Sequence, residues 1–161
     1  MMTLKNFKEI ELKLMPQASV KRIINCKKKE LIELVLDIEK YPKFIPYCID
    51  SKVHQRDDKD NELLIVADLT IGKGPFKDTY KSDVKYFKDK DLIHVRNING
   101  PLKYLVNKWN FKEFENQTEV SFEVDFELKN HFLNIVMTKS FQYGLDKIAD
   151  AFEEEANKTF K

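Results

Sequence analysis

The residues of this sequence that could do chemistry are three histidines, two cysteines, a run of alternating carboxylates and one lysine triplet, and their spacing builds no reaction centre. His54, His94 and His131 fall in separate segments. A metal site needs several ligands converging at once, and neither H-x-x-x-H nor a Cys/His cluster occurs. The three read as surface or capping histidines, and no metal is expected. Cys26 and Cys48, the only cysteines, form no C-x-x-C pair and read as reduced thiols. No G-x-S-x-G elbow is present. Gly72-Lys73-Gly74-Pro75 is too short for a phosphate loop and precedes a strand rather than a helix. Glu119, Ser121, Glu123, Asp125 and Glu127 sit at every second position, which makes the carboxylates the wet face of a strand rather than an acid–base pair. Lys27-Lys28-Lys29 opens a helix, where the macrodipole prefers anions. It is either a screened surface run or a point of attraction for lipid or RNA phosphates. No enzymatic activity is expected.

The elements around these residues follow from periodicity. Ala18–Asn25 reads as a strand. Leu31, Leu34, Val35 and Ile38 keep the i, i+3, i+4, i+7 spacing of a helix on a core, which Pro42 ends near Tyr41. Pro42 and Pro46 then stiffen an aromatic corner, Tyr41–Cys48. From there the period is two. Leu63, Ile65, Ala67, Leu69 and Ile71 share one face, as do Tyr80, Val84 and Tyr86. Leu92–Ile98 is a further strand, closed by Asn99-Gly100-Pro101. Leu105, Asn107, Trp109 and Phe111 share a face, and Val120, Phe122, Val124, Phe126 and Leu128 point inward on the last strand. From Phe132 to Thr159 the pattern is one helix with Leu133, Val136, Met137, Phe141, Leu145, Ile148, Phe152 and Ala156 as its stripe. At 1.5 Å per residue it is roughly 40 Å long. Gly144, inside it, marks either close packing or a gap.

The order is therefore strand, helix, helical corner, some six antiparallel strands, long helix: an α+β fold in which a curved sheet wraps the C-terminal helix. One helix cannot fill the concave face of so wide a twisted sheet, so a hydrophobic cavity is expected between them.

Composition agrees with one domain. The chain has 161 residues, 42% hydrophobic and 34% charged, the balance of a globular protein rather than a disordered one. A formal net charge of +1 gives no global pull towards nucleic acid, and no DNA partner is expected. No apolar run reaches the roughly 20 residues needed to span a bilayer. Residues 1–15 read as an N-terminal extension with Leu4, Phe7, Ile10 and Leu14 at roughly helical spacing. They lack the h-region of a secretory signal, and a cytoplasmic location is expected. The domain itself is expected over 16–161.

At the corner the sequence becomes specific. Tyr41-Pro42-Lys43-Phe44-Ile45-Pro46-Tyr47-Cys48 resembles the Y-P-x-F-L-P-W-C motif of the START-like, polyketide cyclase-like family of coenzyme Q-binding proteins and ribosome association toxins. Ala67–Gly72 resembles its A-x-L-x-V-G strand and Phe76–Val84 its F-x-x-x-x-x-S-x-V. Gly100–Phe111 resembles its G-P-F-x-x-L-x-N-x-W-x-F, Val124–Leu128 its V/I-D-F-E-F run, and Ala151-Phe152-Glu153 its A-F-E. Tyr47, Lys73 and Leu102 depart from the pattern, and Lys73 puts a charge at the rim of the implied pocket.

The resemblance implies the helix-grip fold and non-enzymatic binding of ubiquinone or another polyprenyl quinone, with no further cofactor. Transient contact with an inner-membrane surface goes with that reading, and a ribosome-bound regulator that blocks 70S association is its alternative. The expected wall comprises Phe44, Ile45, Pro46 and Tyr47 from the corner, then Ala67 and Leu69, Leu105, Asn107, Trp109 and Phe111. Phe122 and, from the long helix, Val136, Phe141 and Leu145 complete it. A cyclase would need an inward Asp, His or Arg constellation, which the pattern does not supply.

Overall fold

Strands alternate and helices repeat every three to four residues, so each element of this chain has one apolar side to bury. The structure, a computed structural model, describes residues 18–160, and within them not the side chains of Phe76, Phe132, Leu133, Asn134, Val136 and Met137. The expected N-terminal extension, residues 1–15, lies outside the described residues.

Strand β1 (Ala18–Ile24) leads into helix α1 (Lys28–Leu36) and a 3-10 helix (Ile38–Lys43). Six strands follow: β2 (Cys48–Asp58), β3 (Glu62–Lys73), β4 (Phe76–Phe87), β5 (Leu92–Asn99), β6 (Leu102–Phe114) and β7 (Gln117–Leu128). Helix α2 (His131–Thr159) ends the chain. The seven strands form one antiparallel sheet in the order β1-β7-β6-β5-β4-β3-β2. β2 to β7 is thus a meander of consecutive hairpins, and β1 closes it by pairing Ala18 with Val124 and Ile24 with Thr118.

The strand faces are those the alternation predicts. Val120, Phe122, Val124 and Phe126 are buried on β7, Leu105, Trp109 and Phe111 on β6, and Leu63, Ile65 and Ala67 on β3. The early helix differs from its expected form. Regular α geometry stops at Leu36, because Asp37 (φ −83, ψ 67) leaves helical space, and the chain tightens into the 3-10 turns that contain Pro42. That tightening lets the Tyr41 hydroxyl donate to the Val35 carbonyl and keeps Ile38 buried.

Helix α2 is held at one side of the sheet. Arg22 of β1 donates to Asp150 (2.7 Å) and Glu153 (3.3 Å), and Gln142 Nε2 donates to the Ser19 carbonyl at 2.9 Å. Leu145, Phe152 and Ala156 are buried beneath it. At the other edge the 3-10 helix is tied to β2: Ser51 Oγ donates to the Ile38 carbonyl at 2.9 Å, and the Val53 amide to Glu39 at 3.3 Å. The concave faces of β3, β4 and β5 lie between these two anchors.

Candidate ligand-binding site

A cavity of about 150 Å³ occupies that space. Its floor is the concave face of the meander: Leu69 and Ile71 on β3, Tyr80, Ser82 and Val84 on β4, Ile93 and Val95 on β5, Asn107 and Trp109 on β6, Phe122 on β7. Its sides are Val35, Ile38 and Tyr41, the corner residues Ile45, Pro46 and Cys48, and Ile148 and Phe152 of α2.

Aromatic rings build its closed end. The Trp109 indole stacks on Phe122 (centroids 3.9 Å apart, 22° between planes) and meets Phe152 edge-on at 5.2 Å. Phe152 in turn meets Phe44 at 5.3 Å and Tyr41 at 5.6 Å, both edge-on. This chain of rings fixes the proline corner to α2.

Along α2 the fit loosens. A Cβ added at Gly144 would meet nothing within 4 Å, so the glycine marks a gap and not a close approach. Its neighbour in sequence, Leu145, is 1% exposed.

The polar groups on the wall are few and neutral. Burial pushes the Cys48 thiol up to about 11 and raises the Tyr41 and Tyr80 hydroxyls well above the ordinary phenol value. Among the described residues no Asp, Glu, His, Lys or Arg lines the cavity. Among the described residues Ser82, 1% exposed, makes only a long 3.4 Å bond to the Ala67 carbonyl. Asn107 Oδ1 is buried with no hydrogen-bond partner among the described residues. Asn97, by contrast, is fully used: its Nδ2 donates to the Leu102 carbonyl and its Oδ1 accepts from the Leu105 amide. An unpaired buried amide oxygen costs about 1–3 kcal/mol. A ligand hydroxyl that donates to this oxygen removes that cost.

The fold, a curved antiparallel sheet with a long C-terminal helix, is shared with known proteins. Residues 28–153 match the family described as polyketide cyclase / dehydrase and lipid transport. The chain belongs to this family. It is 29% identical over 143 residues to the ribosome association toxin RatA of Rickettsia prowazekii (strain Madrid E), covering 87% of this chain and 95% of that one. It is 26% identical over 134 residues to the mitochondrial coenzyme Q-binding protein COQ10 of Dictyostelium discoideum, covering 81% of this chain and 64% of that one. Among solved structures, the protein TTHA0849 from Thermus thermophilus superposes with a TM-score of 0.76 at 14% identity, over 88% of this chain and 97% of that one, which speaks to the fold alone. The helix-grip fold expected from the sequence is the fold found.

Within this family member, the structure brings together some of the expected wall residues and separates others. Ile45, Pro46, Leu69, Asn107, Trp109 and Phe122 line the cavity. Phe44 stands behind it, in the ring cluster with Tyr41 and Phe152. Tyr47 adopts φ 64 and is 60% exposed, because a left-handed residue at the end of the corner turns its side chain out of the concave face. Ala67, Leu105, Phe111 and Leu145 are buried in the dry core beside the cavity, and Phe141 packs on Phe126 at 4.4 Å. The side chain of Val136 lies outside the described residues. Ser82 was the readable omission: it shares the face of Tyr80 and Val84, at the position where the family resemblance carries a serine.

The three histidines stay apart. His54 pairs with Asp68 at 2.7 Å on the outer face of the sheet. His94 lies on that face too, its pKa lowered first by partial burial and then by Lys108 and Arg96, with Asp83 opposing and Lys85 adding the least. Lys28 is engaged by Asp91 at 2.8 Å, so the lysine triplet presents less free charge than its sequence implies.

Proposed function

We propose that the protein is a non-catalytic carrier of a neutral, ring-headed isoprenoid lipid, a polyprenyl quinone or its phenolic precursor, exchanged at a membrane surface. The observation that carries this reading is the cavity wall itself: apolar, without a charged group among the described residues, and holding one buried amide in want of a partner. Acid–base catalysis needs a group that titrates near the working pH, and this wall offers none among its described residues. A cavity of about 150 Å³ suits one ring, since an engineered void of that order takes up benzene. The isoprenoid tail then leaves past Ile71, which lines the cavity and is exposed. Each buried methylene contributes about 0.8 kcal/mol, so a few isoprene units exceed the roughly 8 kcal/mol of micromolar binding even after ordering costs. The similarity to the coenzyme Q-binding protein COQ10 supports the same ligand class.

Trp109 is the only tryptophan and lies on the wall, so it reports occupancy directly. Titrating a short-chain ubiquinone is expected to quench its fluorescence saturably, with a midpoint in the micromolar range or tighter. Linear quenching like that of free tryptophan would exclude the reading.

A second reading, a regulator acting on the ribosome, is supported by the RatA relative, which matches over nearly its whole length. The two separate on a sucrose gradient. Under the carrier reading, adding the protein to purified subunits at physiological salt leaves the 70S fraction unchanged, whereas a dose-dependent loss would favour the regulator.

A further inference from the structure

The open end of the cavity is also where the protein wears its apolar surface. Nine large hydrophobic residues are exposed among those described, and only Ile23 and Phe114 lie at the opposite end of the sheet. Tyr47, Ile49, Ile71 and Ile98 stand at the strand ends around the mouth, and Ile135 begins the helix beside them.

These positions belong to one continuous rim. The Gly72 amide donates to the Tyr47 carbonyl at 3.0 Å, joining the corner to the β3–β4 hairpin. Gly100 (φ 123) lies so close to Tyr80 that a Cβ would come within 2.7 Å, which seats the β5–β6 turn on β4. The Lys129 amide donates to the Pro101 carbonyl at 3.1 Å, joining that turn to the start of α2.

The rim also carries cations. Lys73, Lys77 and Lys129 are exposed and make no ion pair among the described residues. Lys103 pairs with Glu127 at 3.4 Å, and the Asp78 carboxylate accepts the Thr79 amide. Asp50 is the remaining carboxylate of the rim. Isolated exposed hydrophobics need no explanation, but a ring of them around a cavity mouth, interleaved with lysines, has the composition of an interfacial anchor. Tyr47 supports it: a left-handed tyrosine is strained, and here the strain holds an amphipathic ring outward at the mouth, a position such side chains favour at a bilayer interface.

We infer that the protein docks mouth-down on an anionic bilayer through the rim formed by the Tyr47 corner, the Gly72–Pro75 hairpin, the Asn99–Pro101 turn and Lys129. The inference rests on the carrier reading for its purpose but not for its test. Each lysine near an anionic surface contributes about fivefold to partitioning, and the apolar side chains contribute by burial below the headgroups.

The full chain is sedimented with phosphatidylcholine vesicles with and without phosphatidylglycerol. Binding is expected to need phosphatidylglycerol, to weaken as salt rises, and to fall more than tenfold in the double variant Lys73→Glu, Lys77→Glu. Ile98→Asp with Ile135→Asp is expected to lower it as well, while Ile23→Asp with Phe114→Asp at the far end leaves it unchanged. None of these residues lines the cavity, so quenching of Trp109 by soluble short-chain ubiquinone serves as the fold check and should persist in all. Equal binding to both vesicle types, unchanged binding of the double lysine variant, or an equal loss from the far-end variant would each overturn the inference. Failure of the quenching titration in the unmodified protein would strike the carrier reading instead.

Discussion

The two ends of the sheet treat a buried polar side chain in opposite ways. At the end near Cys26, Thr118 is wholly inaccessible and its hydroxyl donates to the Cys26 carbonyl at 2.8 Å. In the cavity, Asn107 buries an oxygen with no partner among the described residues. The helix above repeats the contrast between neighbours: Leu145 is packed on every side, whereas Gly144 faces open space. One end is finished as a core. The other is left with vacancies of defined shape and polarity, and vacancies of that kind mark function rather than poor packing.

Removing Leu145 should hurt most. Leu145→Ala is expected to lower unfolding stability by about 2–5 kcal/mol, read as a shift of the urea midpoint. Gly144→Ala, next to it, is expected to raise stability by about 0.5–1 kcal/mol, because a helix interior prefers alanine and nothing obstructs the methyl. If both variants shift in the same direction, the gap at Gly144 is not real.

The polar pair sharpens the contrast at smaller amplitude. Thr118→Val leaves the Cys26 carbonyl unpaired and is expected to cost about 1–3 kcal/mol. Asn107→Leu removes an oxygen that already lacks a partner, so it should be neutral or stabilising in denaturant while weakening a hydroxyl-bearing ligand, such as the reduced short-chain ubiquinol, in the Trp109 titration. A large loss of stability in Asn107→Leu would make it a structural residue like Asn97.

The smallest effect lies outside both ends. Burial and neighbouring cations hold His94 below its ordinary value of 6.5. As pH falls through 6.5 the unfolded chain takes up a proton that the folded one refuses. Stability therefore declines from neutral pH until the folded value is passed, and then levels off. The decline should vanish in His94→Gln, and an NMR titration of the His94 ring should give a pKa below 6.5.

The strand faces, the long helix and the proline corner were legible in the sequence, because period and proline placement depend on backbone geometry. What could not be read was which inward residues face the void. Leu105 and Asn107 share one strand face, yet one is in dry core and the other on the cavity wall. That division depends on α2 being clamped over β1 through Arg22 and Gln142, pairs of residues more than a hundred positions apart. Strand β2 was hard to see for a different reason: lying at the sheet edge, it is mostly exposed and carries little alternation.

The closure of β1 on β7 has a consequence in time. Each hairpin of the meander joins neighbours in sequence, whereas pairing Ala18 with Val124 must close a loop of about a hundred residues, and contacts so distant in sequence form slowly. The meander is therefore expected to assemble first, and with it most of the cavity floor. The β1 strand and the helix that leans on it arrive last. The side of the site that α2 covers is thus held by the contacts that are latest to form.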